Sequence, residues 1–179
     1  MDQVRSYSEK NASIQGKNPW IPEGTYETIA KSMIIPCVDI IFHTKSDRAI
    51  YLAKRVVLPM NSYWCLGGRI FFDDCTLEEA AARSITRESE LNINSKRFKF
   101  VCNHLYSWEA IAQGYFTGRN LAVIFSCEVT VDEIDKISKT LNETEFDKEF
   151  GLQRFDRQRL LDMNVHQAMI DVFDQLFSE

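Results

Sequence analysis

The sequence predicts an α+β domain layered as an α/β/α sandwich. Three observations carry this expectation. Short β-rich runs flank one central helical segment, the last helical segment is amphipathic, and neither a strict βαβα alternation nor an internal repeat appears. The chain has 179 residues, which suits one compact domain. Residues 1–20 are polar and read as an N-terminal extension, leaving 21–179 as the single domain.

Each element has its own signal. Pro22 and Glu23 open a helical pattern with Tyr26, Ile29, Ala30 and Met33 on one face. Residues 34–42 are rich in β-branched side chains and read as a strand, with Pro36 near its start. A polar turn at 45–48 and an alternating run at 49–57 predict a hairpin. Residues 63–72 form a third strand-like run, broken by Gly67 and Gly68. Thr76 is placed to cap a helix reaching residue 91, with Glu79 completing a capping box. Residues 98–105 and 121–129 read as strands, joined by a loop containing Trp108, Tyr115, Phe116 and Gly118. A helical pattern at 131–141 aligns Ile134, Ile137 and Leu141, and 145–155 reads as one more strand. Asn164 is placed to cap a closing helix whose apolar face is Val165, Ala168, Met169, Val172, Phe173 and Leu176.

Composition narrows the function classes. The net charge is −5 and no dense Lys/Arg block occurs, so nucleic acid is not expected as a partner. No apolar run approaches the ~20 residues that span a bilayer, so no membrane is expected either. The five cysteines are odd in number and lack CxxC spacing, which suits reduced, mostly buried thiols in a cytoplasmic protein. His43, His104 and His166 are far apart and do not suggest a zinc site; His166 reads as a packing or capping residue.

The informative stretch is 63–91. Gly67 and Gly68 let the backbone bend and approach a neighbour closely, because no Cβ intervenes. An acidic loop with Asp73 and Asp74 follows, then a helix in which Glu79 and Arg83, Arg83 and Arg87, and Ser84 and Glu88 are each one turn apart. Such a strand–loop–helix unit presents carbonyls and carboxylates at one place. Mg²⁺ takes that ligand set, with pyrophosphate supplying further oxygens, and an arginine on the same helix can meet a carboxylate or a phosphate.

This segment resembles a Nudix box. Gly68 matches its first glycine, Arg83 its arginine, Glu88 the last of its glutamates and Leu91 its closing apolar residue. The departures are a loop one residue longer, with Asp74 or Cys75 at the first glutamate position, Ser84 and Arg87 in place of two further glutamates, and Glu90 in place of a glycine. The losses are similar to those of the GDP-mannose mannosyl hydrolase branch, as are the stretches 34–55 and 163–167. The resemblance implies a Nudix fold with a mixed central sheet and flanking helices, a homodimer, and hydrolysis of a nucleoside diphosphate sugar or related nucleoside diphosphate derivative with Mg²⁺, or Mn²⁺ in its place. It implies Gly68, Glu88 and Glu149 as metal ligands, with Glu145 as the fallback for Glu149. It implies Arg55 and Arg69 at the phosphates, and Arg83 and Asp39 among the substrate-binding residues. Phe150 stands where the branch carries a histidine base and Asn120 where it carries a tyrosine, which leaves attack at carbon or at phosphorus open and makes Glu149 or Glu145 the candidate base. The same departures leave a second possibility, a Nudix domain that binds a nucleotide or a protein without turnover.

Overall fold

The computed structural model describes residues 21–57, 62–108 and 118–178. The N-terminal extension and most of the loop with Tyr115 and Phe116 lie outside the described residues.

Strand β1, Ile34–His43, is the centre of the sheet. It pairs in parallel with β6, Gly118–Glu128, over its whole length, and antiparallel with β4, Leu66–Arg69. Its hairpin with β2, Ile50–Lys54, forms as expected but is short, with Phe42 opposite Tyr51 and His43 opposite Ile50. The run read as one third strand is two: β3, Tyr63–Trp64, pairs with β2, and the chain then crosses at Cys65 to become β4. Outward from β6 lies β5, Phe98–Trp108, and β7, Leu152–Phe155, pairs with β2.

Val38, Ile40, Ile41 and Phe42 are fully buried, because β1 is covered on both faces. One face carries Val38, Ile40 and Phe42 against Ala80, Ala81 and Ile85 of helix α2, Leu77–Ser89, and Ile134 and Ile137 of α3, Val131–Thr140. The other carries Ile41, with Leu52 and Phe155, against Met169, Val172 and Phe173 of α5, Gln167–Leu176. The sheet is thus mixed and sandwiched between helices, as the sequence predicts. The first helix, α1, spans Glu23–Ser32.

The ends of the helices differ from expectation for local reasons. Thr76 caps α2 by accepting from the Glu79 N–H at 3.1 Å, but the Glu79 carboxylate reaches the Cys75 N–H instead of closing the box on Thr76. The reciprocal box forms at Thr130 and Glu133 of α3. A further helix, α4, Arg157–Asp162, starts where Asp156 accepts from the Arg159 N–H. Asn164 does not cap α5; it takes a left-handed φ of 48°, and His166 Nδ1 accepts from the Ala168 N–H at 3.1 Å. No helix among the described residues is long and apolar enough to cross a membrane.

Helix α2 stops at Ser89 because Glu90 turns left-handed, with φ 53°. A side chain with a Cβ is strained there and glycine is not. Glu90→Gly is expected to raise the unfolding free energy by about 1 kcal/mol, read from urea denaturation.

Candidate functional site

The site forms where β4 runs under the C-terminal half of α2. Glu88 is only 2% exposed. Its Oε2 accepts from the Gly67 N–H at 2.9 Å and its Oε1 meets Arg87 Nη2 at 2.6 Å. The same Arg87 nitrogen donates to the Gly67 carbonyl at 3.1 Å. Ser84, one turn earlier, is fully buried, and its Oγ has no hydrogen-bond partner among the described residues.

A further acid, Glu145, reaches this cluster from the segment before β7. The Asn142 N–H donates to the Glu88 carbonyl at 2.7 Å, the Val56 N–H to the Glu145 carbonyl at 3.0 Å, and the Asp147 N–H to the Lys54 carbonyl at 2.8 Å. Arg55 bridges Phe146, extending the β2 edge. These main-chain bonds set Glu145 between two guanidinium groups, 3.7 Å from Arg55 Nη2 and 3.7 Å from Arg87 Nη1. Glu149, the first candidate for the third metal ligand, is exposed, and among the described residues its side chain makes no hydrogen bond or ion pair with the cluster. The pairing of 145–147 along the end of β2 is a long-range event with no local sequence signal, so the fallback residue is the one brought in.

Burial raises the Glu88 carboxyl to about 8, helped by the negative charge of Glu145; Arg87, the Gly67 N–H and Arg55 oppose this without cancelling it. On the far side of Gly67 stands Asp39, 8% exposed. Burial lifts it to about 6, against hydrogen bonds from Cys65 and Tyr106 and the charge of Arg55. Gly67 is the partition between the two acids. A Cβ there would lie 2.3 Å from the Val38 carbonyl and 2.7 Å from Asp39 Oδ1.

The arginines divide by environment. Arg83 is engaged in the loop: its Nε and Nη2 form a fork on Asp74 at 2.8 and 2.7 Å, Nη2 also donates to the Arg69 carbonyl, and the group stacks on Phe71. Arg69 lies over the Tyr26 ring at 4.4 Å. Arg55 keeps a buried Nε without a partner among the described residues. His166 packs its ring against Trp64 and Trp108 and caps α5.

Among the described residues no three His, Cys, Asp or Glu side chains gather closely enough to hold a metal ion alone. A Mg²⁺ ion needs only one or two carboxylates when a backbone carbonyl and ligand phosphates complete its shell. A buried acid repelled by a second acid, beside the glycine pair of β4, fits that need. Of the expected ligands, Glu88 stands at the glycine pair with Glu145 brought near it through Arg87, and the Gly67 carbonyl beside them is held by Arg87. Arg87 was legible only as a departure from the box; its contact with Glu88 had no signal beyond adjacency.

Two expectations follow. Gly67→Ala must displace the rigid Val38 carbonyl and is expected to cost about 2–3 kcal/mol, whereas Gly68→Ala meets only the side-chain ends of Arg87 and Ser84 and is expected to cost under about 1 kcal/mol, by urea denaturation. Asp39 has a folded-state value raised from 3.8 to about 6, so its penalty is absent below 3.8 and grows as pH rises through 6. Asp39→Asn should gain about 3 kcal/mol relative to the parent between about pH 4 and pH 7.

No family model matches the sequence, and no curated protein matches it. Solved structures do match in shape. A MutT NUDIX hydrolase from Burkholderia pseudomallei superposes with a TM-score of 0.59 at 14% identity, over 81% of this chain and 99% of that one. The MutT protein of Methanosarcina mazei Go1 gives 0.56 at 15%, over 79% and 91%. NrtR of Shewanella oneidensis, complexed with a 27mer DNA, gives 0.54 at 15%, over 78% of this chain and 60% of that one. This last likeness corrects the exclusion of nucleic acid, since the same fold occurs in a protein bound to DNA; a modest net charge without a basic block does not rule such a partner out. At these identities the likeness establishes the architecture: the chain has the Nudix fold.

Proposed function

We propose that the chain hydrolyses a nucleoside diphosphate sugar, of the GDP-mannose type, or a related nucleoside diphosphate derivative. The observation that carries this reading is the meeting of Glu88, Glu145, Arg55 and Arg87 at the Gly67–Gly68 bend. Two acids and two guanidinium groups at one bend suit an anionic ligand held with a divalent ion. Mg²⁺ or Mn²⁺ would be held by the Gly68 carbonyl, Glu88 and Glu145, and would offset charge on a departing phosphate. Arg55, with a donor to spare, and Arg69 would grip the diphosphate. Asp39 would bind the substrate from the other side of Gly67. Glu145 is the candidate base, since no histidine lies within 142–155. The five free cysteines suit a reducing compartment, and we place the protein in the cytoplasm.

The contact between Arg87 and Glu88 favours the second reading, a domain that binds a nucleotide without turnover. A panel of nucleotide sugars with Mg²⁺ or Mn²⁺, read by product identity, separates the two. Free sugar with nucleoside diphosphate marks attack at carbon; sugar phosphate with nucleoside monophosphate marks attack at phosphorus; binding without product supports the second reading. For the enzyme, Glu88→Gln and Glu145→Gln should lower kcat/KM about a hundredfold or more, and Glu149→Gln less than about threefold. Full turnover by Glu88→Gln removes Glu88 from the mechanism.

A further inference from the structure

We propose that Arg87 is a built-in counter-cation that competes with a divalent ion for Glu88, so that metal entry requires its guanidinium to turn away. This rests on the reading of Gly68, Glu88 and Glu145 as the metal's donors. The two Glu88 oxygens are not equivalent. Oε2 is committed to the Gly67 N–H, a main-chain bond that ties α2 to β4. Oε1 is the oxygen left for a cation, and Arg87 Nη2 holds it at 2.6 Å while also donating to the Gly67 carbonyl at 3.1 Å. A single nitrogen thus holds the Glu88 oxygen a hard ion would need and anchors on the Gly67 carbonyl, one residue before the Gly68 carbonyl read as a donor.

The two partners differ in freedom. Glu88 is 2% exposed and cannot leave, whereas the Arg87 side chain is 45% exposed and can. A buried carboxylate stripped of its cation is costly, so one positive group must leave as the other arrives. Gly68 makes room for this arrangement: a Cβ there would lie 3.1 Å from Arg87 Nη2. The released guanidinium already has a second acid within reach, since Nη1 is 3.7 Å from Glu145 Oε1. It also becomes available to an anionic ligand, so metal occupancy and diphosphate binding are coupled through one side chain.

The test is Mn²⁺ binding to the full chain without nucleotide, followed by the loss of the free-ion electron paramagnetic resonance signal. Arg87→Gln is expected to bind Mn²⁺ on the order of tenfold more tightly than the parent, and Glu88→Gln to lose saturable binding. Arg87→Lys, which keeps the charge on a shorter side chain and has no second nitrogen for Glu145, is expected to fall between, and keeps the test open if Arg87→Gln does not fold. Arg55→Gln removes the same charge without touching Glu88 and is expected to tighten binding less than Arg87→Gln. Equal or weaker binding by the Arg87 variants, or an equal gain in Arg55→Gln, overturns direct competition while leaving the donor set intact. Absence of saturable binding in the parent and in both Arg87 variants overturns the donor set as well.

Discussion

The hydrogen bond from the Gly67 N–H to the Glu88 carboxylate is the constraint around which the site is arranged. It fixes the roll of α2 over β4, because a side chain from the fourth turn of the helix must reach a strand amide. It also forces an acid into a place where water cannot solvate it, and such a group persists only with partners. The surroundings supply them as Arg87, the strand amide and, at longer range, Arg55. The small side chains of Ala80, Ala81 and Ser84 let the helix approach closely enough for the bond to form. Packing and charge placement are therefore one problem here.

Gly67 makes a second arrangement possible. Asp39 and Glu88 stand on opposite sides of the same residue, and both press on the thiol of Cys65, which burial and the two acids hold well above its ordinary range. A glycine at this point separates two buried acids by the width of a backbone. The division of β1 between two cores explains why this occurs at the middle of the sheet: Val38 and Ile40 face α2, while Asp39 and Ile41 face the opposite layer.

Most of the fold was legible because its signals are local. Amphipathic spacing in α3 and α5, the β-branched run of β1 and the Thr76 cap all report nearest-neighbour physics. The site was legible where it follows the helix period, at Glu88 and Ser84, and where backbone freedom is demanded, at Gly67 and Gly68. The contribution of Glu145 was not, because it depends on residues 142–147 docking at once on the end of β2 and on the last turn of α2. The split between β3 and β4, and the full-length parallel pairing of β1 with β6, are likewise decided by distant partners. Asn164 and His166 exchanged the expected capping role, since the left-handed turn at Asn164 moved the helix start two residues on.

The loop between β4 and α2 closes on itself. Asp74 accepts from the Phe71 N–H and from the Arg83 fork, and Arg83 reaches back to the Arg69 carbonyl. The staple lies upstream of Glu88 and spans the whole connection, so an inserted residue bulges within it and leaves the helix register untouched. The length of the connection and the meeting of glycine with acid are therefore set by separate contacts, the Asp74–Arg83 fork for the one and the Gly67–Glu88 bond for the other.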